Sequence, residues 1–389
     1  MRTIVSGIGA VSAIGDNVAQ NTESLKLLRS GIGELTVLHT CHAVPCGEVK
    51  HTNPELAEMA GLKPGTYSRT ALLGMIAAKE AADNANLDTA TQRVGLISAT
   101  SVGGMDLTEN YFEAEHNGKR GRLRQLIEHD CGASTERIAA HLGIKHFMTT
   151  ISTACSSSAN AIMLGHRMIQ HGLLDAVVVG GTDSLCKFTI NGFSSLQILD
   201  SNLCRPFDKS RAGLNLGEGA GYLVLQREED VCCSKHAAIL GCANANDAHH
   251  QTATSETGDG PFLAMTKALK MAGLGNVDYI NVHGTGTQNN DRSEYAAIKR
   301  IWGNNIPPYS STKLFTGHTL AACGALEAIF CIQMMHNRTI YPTFNFKNGE
   351  DADFVSPVTV TTKAEHLNAV MSNSFGFGGN MTSIILGKL

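Results

Sequence analysis

The sequence predicts an α/β protein, because short apolar runs rich in β-branched residues alternate with longer segments of helical periodicity along its 389 residues. Strand-like runs fall at 3–6, 94–99, 148–152, 176–180, 221–226, 279–282, 369–372 and 383–386, with Ala176-Val177-Val178-Val179-Gly180 typical of them. Helical patterns fall at 71–85, 156–170, 261–271, 291–302 and 323–336. Composition agrees: hydrophobic residues make up 43% and charged residues 17%, a balance that supports a sizeable core. No long linker interrupts the pattern. The charged stretch 226–236 reads as a seam, and a fresh strand is expected at 237–241. It divides the chain into 1–236 and 237–389.

Several function classes are excluded early. The 40 glycines cluster without a period, which rules out collagen-like and low-complexity readings. A net charge of −4 selects neither nucleic acid nor an anionic membrane. The 11 cysteines are scattered, and the tight pairs Cys232-Cys233 and Cys41/Cys46 belong to no four-ligand pattern, so no metal site is expected. The first residues lack a signal-peptide core, and no apolar run approaches the ~20 residues that cross a bilayer. A reducing, cytoplasmic setting is expected, with most thiols acting as small core residues. Gly7-Ile8-Gly9-Ala10-Val11-Ser12 imitates a dinucleotide loop, but Ser12 occupies the third glycine position and Gly15 comes too late.

Four segments carry chemistry. In Ile151-Ser152-Thr153-Ala154-Cys155-Ser156, a β-rich run gives way to a helix, placing Cys155 at a helix start where a thiolate is favoured. In Asn281-Val282-His283-Gly284-Thr285-Gly286-Thr287, a strand delivers His283 to its C-terminal end. Small residues there leave room for a thin substrate arm, and Asp291 and Glu294 follow at a helix start that suits their charge. In Ser311-Thr312-Lys313-Leu314-Phe315-Thr316-Gly317-His318, Lys313 in an apolar setting needs a carboxylate, and Glu327 is the candidate. The fourth segment, Ser374-Phe375-Gly376-Phe377-Gly378-Gly379-Asn380, sets bulky rings on a mobile backbone that can gate a pocket and offer an amide to an oxyanion. Each alone also fits an ordinary structural role.

Together, and in this order, the segments resemble the β-ketoacyl-acyl-carrier-protein synthases of the thiolase superfamily, elongating type, across essentially the whole chain. Val5-Ser6-Gly7-Ile8-Gly9 is similar to the family's opening strand and turn; Arg205-Pro206-Phe207-Asp208 and Gly217-Glu218-Gly219-Ala220-Gly221 match its middle segment. The resemblance implies two similar halves with mixed five-stranded sheets, stacked as α/β/α/β/α, and a dimer. Cys155 would be the nucleophile, in the 1–236 half. His283 and His318 would be the paired catalytic histidines, in the 237–389 half, with Lys313 beside them and held by Glu327. The amides of Cys155 and Phe377 would form the oxyanion hole. Thr285, Thr287 and Thr252 would contact phosphopantetheine, and Val102, Phe193 and Phe375 would line the acyl pocket.

The implied chemistry loads an acyl group on Cys155, decarboxylates a malonyl thioester with two histidines stabilising the enolate, and condenses the two. It requires no bound cofactor, since its substrates ride on the phosphopantetheine of acyl carrier protein. Thiolases use a second cysteine and the initiating synthases pair one histidine with asparagine, so His318 favours the elongating class. Two departures stand out: Arg211-Ala212-Gly213-Leu214 replaces Arg-Asp-Gly-Phe, and Gly379-Asn380-Met381 replaces Gly-Thr-Asn. They point to a specialised enzyme serving a polyene or polyketide pathway rather than the housekeeping fatty-acid enzyme. The basic run Lys119-Arg120-Gly121-Arg122-Leu123-Arg124, with Lys63 and Arg69, is the expected dock for an acidic carrier protein. The competing readings are a non-condensing chain-length-factor-like subunit, argued against by the retained Cys155, and another acyltransferase on the same fold. A heterodimer with a related subunit is the alternative to a homodimer.

Overall fold

The computed structural model describes residues 2–63, 65–231 and 235–389, so the Cys232-Cys233 pair lies outside the described residues. The chain builds two five-stranded arrays in the same order. The first contains β1 (Thr3–Ser12), β2 (Val94–Ala99), β3 (Phe147–Ile151), β4 (Ala176–Asp183) and β5 (Gly219–Arg227). The second contains β6 (Ala237–Asn246), β7 (Tyr279–Asn281), β8 (Tyr309–Ser310), β9 (Ala369–Phe375) and β10 (Asn380–Gly387). The orders are β1-β5-β4-β2-β3 and β6-β10-β9-β7-β8, so adding five to each label turns one into the other. Both arrays are mixed in the same way: the first three strands run antiparallel, and the last two pairings are parallel. Pairing of Thr3–Val5 with Ala237–Ile239 joins them into one ten-stranded sheet.

Helices complete five layers. α1 (Arg69–Asn84) and α2 (Cys131–Leu142) cover the outer face of the first array. α3 (Ser157–Gln170) and α6 (Cys323–Asn337) pack between the two arrays, and α4 (Asp259–Ala272) and α5 (Gln288–Trp302) cover the second. Strands covered on both faces should be apolar throughout rather than alternating, and all eight residues of β4 are buried. The central helix α6 is buried on nearly every side, as its run Cys323-Gly324-Ala325-Leu326 through Ala328-Ile329-Phe330-Cys331-Ile332 requires.

The expected turn at Gly7–Gly9 is absent, because β1 runs on to Ser12 with a bulge between Val5 and Gly7. These glycines serve close approach. A Cβ on Gly7 would lie 2.2 Å from Ala81 O, and one on Gly9 would lie 2.0 Å from Ala77 O, so α1 settles directly on the strand backbone. Among the described residues, no helix is long and apolar enough to cross a membrane.

Candidate active site

Cys155 stands in the turn between β3 and α3, two residues before the helix begins. The turn is tight: Ala154 takes φ +53°, a left-handed conformation costly for a residue with a Cβ. Ser157 holds it, its hydroxyl donating to Ala154 O at 2.6 Å and accepting from the Thr153 amide at 2.7 Å. A second clamp comes from Asn380, whose Oδ1 accepts from Ser156 Oγ at 2.7 Å, Asn160 Nδ2 at 2.8 Å and Asn244 Nδ2 at 2.6 Å. The departure at Asn380 is therefore part of the network beneath the nucleophile.

The other half supplies the histidines. His318 Nε2 lies 2.9 Å from Cys155 Sγ, and the His283 ring meets the His318 ring edge-on at 5.3 Å between centroids. The His318 backbone is pinned from both sides, its amide donating to Asn215 O at 2.8 Å and its carbonyl accepting from Gly217 N at 2.9 Å. His283 follows β7. Glu294 accepts the amides of His283 and Gly284 at 2.9 Å each, and Asp291 accepts those of Thr285 at 3.0 Å and Gly286. Asp291 lies in the first turn of α5, but Glu294 falls a turn further in; both buried carboxylates hold the 283–287 turn in shape.

Behind His283, Lys313 Nζ donates to His283 Nδ1 at 3.3 Å and to Glu327 Oε1 at 2.5 Å, with Lys313 and Glu327 both buried. Burial opposes the Lys313 charge, but the Glu327 carboxylate and neighbouring groups outweigh it and push the lysine pKa up. Burial and the Lys313 charge hold His283 well below the usual histidine range, with His318 adding to the effect; burial and Lys313 do the same to His318. Both rings are therefore neutral near pH 7. Since Lys313 donates to Nδ1 of His283, that ring carries its proton on Nε2, on the side away from the lysine.

The resting thiol differs from expectation. Burial pushes Cys155 up to about 11, against the lowering effects of the Lys313 charge and of the Phe377 and Cys155 amides that face the sulfur. Cys155 therefore rests as a thiol beside a neutral imidazole, not as a helix-start thiolate. Those two amides, both directed at the sulfur, are the pair expected to form the oxyanion hole.

A cleft of about 300 Å³ opens onto this group. Cys155, His283, His318, Phe193, Phe375 and Phe377 line it, together with Thr252, Thr285 and Thr287. The Phe193 and Phe377 rings stack at 5.9 Å and 19°. Val102 is not part of the lining; it is buried in an apolar cluster with Leu185, Ile190, Leu214 and Leu320. Arg69 is no docking residue either, since it is buried in a two-pronged pair with Glu218 (2.8 and 2.7 Å). Cys155, His283 and His318 bring ligand atoms within 4.8 Å of one another, the one such convergence found among the described residues. The Lys313 ammonium behind it opposes a resident cation.

Asp183, at the end of β4, was missed in the sequence. It accepts from the Ser101, Val102 and Ala321 amides at 3.0, 3.0 and 2.8 Å, tying the 100–103 loop to the segment after His318. A charged residue closing the run Val177-Val178-Val179-Gly180-Gly181-Thr182 was its available signal.

A thiol, two neutral imidazoles and a buried ammonium at the junction of two like arrays define a condensing enzyme of the thiolase-like fold. The chain belongs to the β-ketoacyl synthase family: residues 2–231 match the beta-ketoacyl synthase N-terminal domain and residues 236–347 its C-terminal domain. It is accordingly an acyltransferase acting on substrates tethered to acyl carrier protein. It is 31% identical to 3-oxoacyl-[acyl-carrier-protein] synthase 2 of Staphylococcus aureus (strain MRSA252), covering 100% of this chain and 98% of that one. Among solved structures it resembles the ishigamide ketosynthase/chain length factor, with TM-score 0.92, 30% identity, and coverage of 100% and 99%. It also resembles the ketosynthase ApeO in complex with its chain length factor ApeC from Xenorhabdus doucetiae, with TM-score 0.85, 33% identity, and coverage of 100% and 98%.

Proposed function

We propose that this chain is the elongating ketosynthase of a specialised polyene or polyketide pathway, with Cys155 as acyl carrier, His318 as its proton acceptor and His283 as the enolate donor. The observation that carries these roles is the 2.9 Å approach of His318 Nε2 to Cys155 Sγ, beside a His283 whose Nδ1 is taken by Lys313.

In the first half-reaction Cys155 sulfur attacks the acyl thioester carbonyl while its proton passes to His318 Nε2. The carbonyl oxygen becomes an oxyanion facing the Phe377 and Cys155 amides. The carrier thiol leaves with a proton, and the acyl group stays on sulfur. In the second, the malonyl thioester loses carbon dioxide, and the electrons of the broken C–C bond move into an enolate. The Nε2–H of His283, together with His318, receives that oxygen. The carbanion attacks the acyl-Cys155 carbonyl, the C–S bond breaks, a β-ketoacyl thioester departs, and the released Cys155 thiolate takes up one proton from solvent to restore the thiol. Thr252, Thr285 and Thr287 guide the pantetheine arm along the cleft, Phe193 and Phe375 border the acyl chain, and Val102 backs it from the adjoining cluster.

The specialised pathway is supported by where the departures fall: Ala212 and Leu214 line the cleft, and Asn380 belongs to the network beneath Cys155. Likeness to two ketosynthase/chain-length-factor pairs supports a related subunit as the dimer partner. The division into halves 1–236 and 237–389 follows the repeat of strand order. Carrier protein is proposed to dock at the exposed Lys119, Arg120, Arg122 and Arg124. Reversing Arg122 and Arg124 to Glu should slow association and weaken its salt dependence.

The deciding experiment is mass spectrometry after incubation with acyl- and malonyl-carrier protein. Acyl mass on Cys155 and a β-keto product support the proposal. Acylation without carbon dioxide release points to a plain acyltransferase, and no acylation points to a non-condensing subunit. Faster turnover on saturated than on polyunsaturated acyl chains would sink the specialised pathway. A chain that forms only homodimers when co-expressed with a candidate partner counts against the heterodimer.

A further inference from the structure

We propose that Cys323 is a resolving thiol for Cys155: after attack on a peroxide, the nucleophilic sulfur closes onto Cys323 as a reversible disulfide and so escapes irreversible oxidation. Cys323 opens α6, and its Sγ donates to the backbone carbonyl of Cys155 at 3.1 Å. That oxygen is two bonds from the Cys155 Cα, so the Cys323 sulfur sits beside the backbone that carries the nucleophile.

The surroundings hold the two residues together. Ala325 N donates to Ser158 Oγ at 3.0 Å, and a Cβ on Gly324 would lie 3.0 Å from both the N and the Cβ of Ala159. The starts of α3 and α6 are therefore packed backbone against backbone, with the two thiols at the junction. Access is asymmetric: Cys155 lines the cleft, whereas Cys323 is buried behind it at 2% exposure. A small oxidant entering the cleft meets Cys155 first.

The chemistry balances in two steps. Cys155 sulfur attacks one peroxide oxygen, an S–O bond forms and the O–O bond breaks. His318, 2.9 Å away, takes the thiol proton and returns it to the departing oxygen, giving a sulfenic acid and water. Cys323 sulfur then attacks the sulfenic sulfur, an S–S bond forms, the S–O bond breaks, and hydroxide leaves as water with the Cys323 proton. Two thiols lose two electrons, and one peroxide becomes two waters. The bridged enzyme cannot accept an acyl group, and an external dithiol restores it. An acyl group already on Cys155 blocks the first step. The proposal requires a reactive Cys155 thiol but not any particular acyl substrate, partner or pathway.

The test treats the purified full chain with hydrogen peroxide and follows intact mass, the peptide map, and recovery of activity after dithiothreitol. Wild type is expected to lose two hydrogens, to yield a Cys155–Cys323 cross-linked peptide and to regain its activity. Cys323→Ala and Cys323→Ser, each referred to its own untreated rate, are expected to add oxygens at Cys155 and to stay inactive. Oxygens on Cys155 with Cys323 still a thiol in wild type would overturn the proposal. So would equal recovery in the variants, or a bridge to another cysteine. The mass readout needs no turnover, so it fails or succeeds independently of the proposed function.

Discussion

Lys313 Nζ lies 3.3 Å from His283 Nδ1, so a buried ammonium decides which nitrogen of the neighbouring imidazole carries the proton. The ammonium in turn depends on Glu327 at 2.5 Å. The pair thus has two separable functions, one in stability and one in tautomer selection.

Replacing Lys313 with Met leaves Glu327 buried without its partner, which should cost about 3–5 kcal/mol of stability. The double variant Lys313→Met, Glu327→Leu should recover much of that loss, because two apolar groups replace two charges. Neither should decarboxylate malonyl-carrier protein at the wild-type rate. Denaturant midpoints read the first effect and carbon dioxide release the second. Wild-type release from the double variant would disprove the tautomer role.

The histidines should separate by half-reaction. His283→Ala removes one oxyanion donor and should lower carbon dioxide release by about 10²–10³-fold, while acyl mass still accumulates on Cys155. His318→Ala should slow the acylation itself, because the proton acceptor at 2.9 Å is gone. Equal slowing of both steps in both variants would contradict the division.

Glu294 provides a pH test. Burial raises its carboxyl to about 7 from an ordinary 4.5, in spite of the Gly284 and His283 amides and Asn373. A carboxyl raised on folding favours the protonated form in the native state. Its stabilising share is therefore complete below pH 4.5 and is lost as pH rises to about 7. Glu294→Gln should remove this slope, so the stability difference between wild type and variant should change across that window and flatten above it. A difference constant from pH 4 to 8, within roughly 0.5 kcal/mol, would refute the raised carboxyl.

The Phe193–Phe377 stack should act as the latch of the gating loop. Stacked rings contribute about 0.5–1.5 kcal/mol, so Phe193→Ala should let the loop open several-fold more often, up to about tenfold. Iodoacetamide alkylation of Cys155 reads this directly. An unchanged alkylation rate would mean that something else holds the loop closed.

Much of this protein was legible in its sequence. The helices near 71–85 and 156–170 were set by local periodicity, which reports the repeat of the backbone, and the strand at 94–99 and the helix near 323–336 by continuous apolar runs that mark elements covered on all sides. The two-residue β8 is too short to show a period, whereas helix α2 carries an apolar stripe at Ile138, Ala139 and Leu142 that was legible and was missed. The reactive residue types were likewise visible, since Cys155, His283, Lys313, His318 and Phe377 sit in compact motifs whose order identified the family.

The tertiary structure decided what depends on neighbours distant in the chain. Cys155 and His318 are 163 positions apart, and only the stacking of the two arrays brings sulfur and nitrogen together. Burial, a property of the whole fold, made Cys155 a resting thiol where the local helix start argued for a thiolate. It also set Arg69 against Glu218 instead of against a partner, and moved Val102 behind the cleft. Gly7 and Gly9 looked like a turn because glycine permits one, but the helix crossing them required only the absence of a Cβ. Sequence determined which groups this protein has; packing determined their charge states and what each one touches, because desolvation and contact are set by residues no local window contains.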